Sequence, residues 1–175
     1  LESGVLKLKK LSLFDNDIGG DGLSSLANGL KSIGSSLEEI GLTDNSICSN
    51  EGLSALVAAL ESCASLEILN LSGNDFSLAA AGLGSLSKWL QTAVLNLDGL
   101  YLQECGINNE GLHALAEGAT NHCKELSLAG NDSITAPGLR YLSTSLQSDT
   151  CRLENLLIGS INIGDDGAEV LARGL

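Results

Sequence analysis

Aromatic side chains are scarce in this chain. One tryptophan, two tyrosines and two phenylalanines make up 3 % of its 175 residues, although hydrophobic residues as a whole reach 43 %. A core of that size has to be built from aliphatic side chains, chiefly leucine, stacked in regular layers. Basic residues are also few: nine Lys and Arg stand against 22 Asp and Glu, a net charge of −13. Nucleic acid is excluded as a partner, because phosphate binding needs a lysine or arginine footprint. The same charge would steer a basic protein partner, and it keeps an elongated molecule in solution. No apolar run reaches the roughly 18 residues a membrane span needs, and no signal-peptide pattern is present. Methionine is absent even at the first position, which reads as a processed product or an excised fragment.

The five cysteines are an odd number and follow no disulfide or zinc spacing. Cys105 and Cys123 fall on inward positions of the pattern described next and read as packed thiols. Cys48, Cys63 and Cys151 fall in or beside loops and receive no role. A reducing, cytoplasmic compartment accounts for them. The sequons Asn131-Asp132-Ser133 and Asn70-Leu71-Ser72 agree, since they put the acceptor asparagines on a buried position and within a strand.

What the chain has in abundance is repetition. The stretch from Leu66 to Phe76, LEILNLSGNDF, reads LxxLxLxxNxF, and five other segments echo it. The leading residues are Leu8, Leu37, Leu66, Leu97, Cys123 and Leu153, at intervals of 29, 29, 31, 26 and 30 residues. A period of that length specifies a solenoid. The second half of each unit has helical spacing, as in Gly22-Leu23-x-x-Leu26-Ala27-x-x-Leu30 and Gly52-Leu53-x-x-Leu56-Val57-x-x-Leu60. Apolar residues at i, i+3, i+4 and i+7 form one face of a helix of two to three turns. The fold class is therefore an α/β solenoid of six strand–turn–helix units: 8–36, 37–65, 66–96, 97–122, 123–152 and 153–175.

Asn16, Asn45, Asn74 and Asn131 recur where the chain turns inward after each strand. An amide side chain both donates and accepts, so stacked asparagines can satisfy the backbone groups the turn leaves without partners. Cys105 takes this place in the fourth unit and Ile161 in the sixth, where local strain or a water molecule is expected. Leu1 stands 7 residues before Leu8, as Leu30 does before Leu37, and so takes the last helical position of a preceding unit. Leu175 takes that same position in the last one. A window cut from a longer array is expected, with uncapped ends open to self-association.

These residues carry a resemblance. The LxxLxLxxN-x-I/F strand followed by G-L/A-x-x-L at about 29 residues resembles the ribonuclease-inhibitor-like leucine-rich repeat proteins over the whole chain. Asn16-Asp-Ile-Gly-Gly-Asp-Gly22 and Ile163-Gly-Asp-Asp-Gly-Ala168 look like turns common in NOD-like receptors. The resemblance implies a right-handed horseshoe, with a parallel sheet on its concave side and helices outside. Its members include ribonuclease inhibitors, sensor ends of NOD-like receptors, Ran GTPase-activating proteins and tropomodulins. No arginine-bearing signature of the GTPase activators is present.

Side chains alternate along a strand, so the residues between the core leucines share the concave face. The rows read Lys10/Ser12/Phe14, Glu39/Gly41/Thr43, Ile68/Asn70/Ser72, Gly99/Tyr101/Gln103, Glu125/Ser127/Ala129 and Asn155/Leu157/Gly159. Asp15, Asp44 and Glu104 stand just beyond. Binding hot spots favour large aromatic side chains, which singles out Tyr101, flanked by Gln103, Glu104, Ile68 and Asn70, and then Phe14. Glu39, Asp15 and Asp44 complete the candidate partner-binding set. The bland alternative has Tyr101 covering neighbouring leucines with its hydroxyl in water. Trp89 is expected to pack between helices on the convex side.

No catalytic constellation is evident: His122 adjoins Cys123, but Cys123 is a core position. Asp15 to Asp21 has the look of a calcium loop yet carries Leu26 where an EF-hand needs its twelfth-position glutamate. No metal, cofactor or enzymatic activity is expected. The function expected is a protein-interaction scaffold, the recognition segment of a larger intracellular protein. A Ran-type GTPase regulator and a structural array without a specific ligand stand as alternatives.

Overall fold

The computed structural model describes residues 7–33, 36–93 and 97–175. Six strands and six helices alternate: β1 Lys10–Ser12, α1 Gly20–Ile33, β2 Glu39–Gly41, α2 Asn50–Leu60, β3 Ile68–Asn70, α3 Ala80–Thr92, β4 Leu97–Tyr101, α4 Asn109–His122, β5 Cys123–Ser127, α5 Ala136–Leu146, β6 Asn155–Leu157 and α6 Gly164–Ala172. All strands are parallel and lie in sequence order in one open sheet. Each helix packs beside the next, covering one face of the sheet. The fold is an α/β leucine-rich solenoid. Leu1 lies outside the described residues.

Register follows from the leucines. Leu11, Ile40, Leu69, Leu100, Leu126 and Leu156 pair across the sheet in one row, all on the helix side. A slip by one residue would turn that row to solvent, so the pattern fixes the pairing. With the helix leucines they form a single core. Cys63 belongs to that core and is fully buried, a position its loop-like sequence surroundings concealed.

The asparagine ladder runs through the middle of the solenoid. Asn74 donates from Nδ2 to the carbonyls of Leu42 (2.8 Å) and Leu71 (2.7 Å), and its Oδ1 accepts from the amides of Asn45 (3.1 Å) and Ile47 (3.0 Å). Asn131 repeats this with Leu102, Leu128, Cys105 and Ile107. Cys105 supplies the donor half only: Sγ reaches the carbonyls of Leu71 and Gln103 at 3.3 Å, and the amide of Phe76 turns to the Cys105 carbonyl at 2.7 Å. Asn16 departs from the expected pattern. It is exposed and bonds only back to the Phe14 carbonyl, because no strand lies on the outer side of β1 among the described residues.

Positive φ occurs one residue before the ladder position in every unit, at Asp15, Asp44, Gly73, Glu104, Gly130 and Ser160. Ser160, just before Ile161, is thus a non-glycine residue in a strained conformation, as expected there. In the unit before Ile161 the amide of Ile134 bonds to the Asn131 carbonyl at 3.0 Å. Leu175 does not fill a helical core position. α6 ends at Ala172, and Leu175 is 93 % exposed.

A second set of asparagines joins the helix starts. α2 and α4 carry their own caps, with Ser49 accepting from the Gly52 amide (2.9 Å) and Asn108 from that of Gly111 (3.0 Å). α3 and α5 begin after Ala79 and Thr135, whose side chains make no capping bond. Their open amides are met from the preceding helix: Asn50 accepts from Gly82 (2.8 Å), and Asn109 from Gly138 (3.1 Å). Caps alternate between a unit's own residue and its predecessor's.

Candidate functional site

The sheet face away from the helices presents the residues expected of it. Lys10, Glu39, Ile68, Gly99, Glu125 and Asn155 form one registered row, and Ser12, Gly41, Asn70, Tyr101, Ser127 and Leu157 the next. Tyr101 lies back along its own strand, with the outer end of its ring against Gly99. A Cβ on Gly99 would meet the ring at 2.6 Å from Cε2 and 2.8 Å from Cζ and the hydroxyl. The missing side chain leaves room for the ring to take this position. The ring is set between Ile68 and Glu125, its neighbours across Gly99 in the first row.

Burial, the nearby Glu125 carboxylate, and the charges of Asp98 and Glu39 together push the Tyr101 phenol above its ordinary value. Two of these carboxylates hold cations from the chain itself: Glu39 pairs with Lys10 at 2.7 Å and Asp98 with Lys124 at 2.6 Å. Ser127, next to Tyr101 in the row, is 1 % exposed, and its Oγ has no hydrogen-bond partner.

Of the expected residues, Glu39, Ile68, Asn70 and Tyr101 come together here. Gln103 sits one step further along β4's direction, where it accepts a short hydrogen bond from the Ser72 hydroxyl. Asp44 and Glu104 hold turn positions with φ near +52°, their side chains lying over Gly73 and Gly130 of the next turn. Phe14 and Asp15 do not join the group. Phe14 is 67 % exposed beyond the end of β1, three strands from Gln103, or roughly 14 Å at the usual strand spacing.

The residue patterns match known proteins. The family model described as Leucine Rich repeat matches residues 6–27, 62–83 and 121–143. The chain is 30 % identical over 97 % of its length to mouse (Mus musculus) NACHT, LRR and PYD domains-containing protein 14, covering 17 % of that protein. It is 32 % identical over 85 % of its length to the pig (Sus scrofa) ribonuclease inhibitor, covering 32 % of it, and 30 % identical over 88 % to the mouse inhibitor, covering 33 %. The chain belongs to the leucine-rich repeat family. Its repeats are of the ribonuclease-inhibitor-like kind, and the chain spans a third or less of the length of these relatives.

In a leucine-rich repeat the strand-to-helix turns border the open sheet face. The first five of these turns each carry at least one carboxylate, from Asp15 and Asp17 through Asp44, Asp75 and Glu104 to Asp132; the sixth has none, and its nearest are Asp165 and Asp166 in the first turn of α6. None of the six carries lysine or arginine. The basic residues lie at strand starts, along helices or in return loops. This border is a continuous source of negative potential beside the Tyr101 group.

Cys123 is fully buried and desolvation pushes its thiol up to about 12, so it cannot serve His122 as a nucleophile. Burial and then Arg152 hold His122 below its ordinary value. No group of three or more His, Cys, Asp or Glu among the described residues is placed to hold a metal ion. Among those residues, too, no helix is long and apolar enough to cross a membrane. Trp89 is buried on α3, beside a groove also lined by Val57 and Glu61 of α2. The residues missing from the expected site are Glu125, Ser127 and Asp98. Their signal was present in the row alignment, which places Glu125 and Ser127 directly across from Gly99 and Tyr101.

Proposed function

We propose that the chain is a protein-recognition scaffold that engages a basic protein partner through its concave sheet face and the acidic turns beside it. The observation that carries this is Tyr101, laid back against Gly99 among the carboxylates of Glu39, Asp98 and Glu125. An aromatic plane in an acidic setting favours a cationic surface. The segment acts without catalysis, as part of a larger protein in a reducing compartment such as the cytoplasm, which suits its five free cysteines. Half-exposed Leu11 and Leu156 on the outermost strands support a second contact at the ends, with a copy of the chain. Concentration-dependent sedimentation would report it.

The test of the main reading is comparative cross-linking in cell extract. A wild-type protein, a Tyr101→Ala/Glu125→Lys variant and a helix-side Lys88→Glu variant are treated alike. Recognition through the sheet face requires that the first variant lose the cross-linked partner and the second keep it. Equal capture by all three would favour a structural array instead. A small GTPase whose hydrolysis the chain accelerates would favour the regulator.

A further inference from the structure

We propose that the Tyr101 platform is an arginine-binding site, taking one guanidinium from the partner. This rests on the recognition reading above and names the group recognised. Three observations converge on one spot of the sheet face. The first is the tyrosine ring, whose outer end lies against Gly99, where no side chain stands in its way. A planar, delocalised cation stacks on such a surface, whereas an ammonium does so only as a point charge.

The second is an asymmetry among the nearby carboxylates. Lys10 holds Glu39 and Lys124 holds Asp98, but no lysine, arginine or histidine pairs with Glu125 among the described residues. Glu125, beside Tyr101 across Gly99, keeps its carboxylate lone pairs for a forked donor. The place for a cation is therefore open at Glu125 alone.

The third is Ser127. Alternation along β5 puts its side chain on the same face as Glu125, between Tyr101 and Leu157 in the row, and its buried Oγ is unpartnered. A buried hydroxyl without a partner is rare and calls for one. Guanidinium carries five N–H donors, enough to serve Glu125 and the Ser127 oxygen while stacking on the ring. Leu157, 44 % exposed on the next strand, would cover the aliphatic stem of the incoming side chain.

The experiment is an NMR titration of the whole chain with N-acetyl-arginine amide, with the lysine and citrulline amides as comparators. The expected result is saturable shifts confined to Tyr101, Glu125 and Ser127, about threefold or more weaker binding of lysine, and no binding of citrulline. Glu125→Gln and Gly99→Ala, each checked for folding by circular dichroism, should weaken the arginine response by a similar factor. Arginine and lysine amides binding equally, or arginine shifts spread over the acidic turns and unchanged in Glu125→Gln, would overturn the proposal. Its failure is separable from that of the recognition reading. If arginine amide fails while Tyr101→Ala/Glu125→Lys still abolishes the cross-linked partner, only the arginine assignment falls. If the cross-link is indifferent as well, both fall.

Discussion

Asn16 and Asn74 stand at the same position of the repeat, two units apart, in different physical situations. Asn74 is buried, bridges two successive turns, and satisfies carbonyls and amides that water cannot reach. Asn16 is exposed and makes one local bond. The leucines show the same contrast: Leu71 is fully buried between neighbouring units, while Leu13, its counterpart in the first unit, is only half-buried. In a solenoid a side chain has its full set of neighbours only when a unit lies on each side. One sequence position therefore carries different energies along the chain.

The largest break in this contrast comes from the strand leucines. Leu71→Ala should cost about 2–5 kcal/mol, through lost transfer energy and the cavity left behind. Leu13→Ala should cost less than half as much, and urea unfolding of the two variants measures the difference. Equal losses would count against nearest-neighbour stacking. The asparagines come next. Asn74→Ala leaves several buried backbone groups unpaired and should cost about 2–4 kcal/mol, while Asn16→Ala should stay within about 0.5 kcal/mol.

A third pair should differ in sign. Gly29 and Gly118 occupy the same helical position, seven residues after Gly22 and Gly111. A Cβ on Gly118 would lie 2.4 Å from the Ser87 carbonyl oxygen, whereas nothing stands within 4 Å of one on Gly29. Gly118→Ala should therefore destabilise by about 1–3 kcal/mol through overpacking of α4 on α3. Gly29→Ala should gain several tenths of a kcal/mol from helix propensity. Opposite shifts in melting temperature would bear this out.

Thiol labelling sharpens the comparison without mutation. Exposed Cys48 should react with iodoacetamide in the native protein. Cys105 and Cys123, buried and pushed up to about 12, should react only after unfolding, as mass spectrometry of quenched samples would show. The smallest effect concerns Asp75. The hydroxyl and amide of Ser77 hold its carboxyl below the ordinary 3.8. A depressed folded value stabilises above the unfolded one and is lost as pH falls through the folded value. Ser77→Ala should therefore lower stability slightly at neutral pH and flatten the acid limb of the stability curve, the difference vanishing once the pH is below the folded value.

The repeat period, the strand leucines and the ladder asparagines determined the solenoid and its register from the sequence alone, because periodic burial leaves only one face for each residue. The open sheet face was legible for the same reason, down to which residues share a row. Alternation cannot tell how far a side chain reaches or what it leans on. Tertiary structure decided that Tyr101 folds back over Gly99 to Glu125, that Phe14 stays three strands away, and that Asn50 and Asn109 cap the helix of the following unit. It also decided which copies of a repeated residue are buried. Leu175 and Asn16 fit the pattern as well as their counterparts do, yet only neighbouring units can remove a side chain from water.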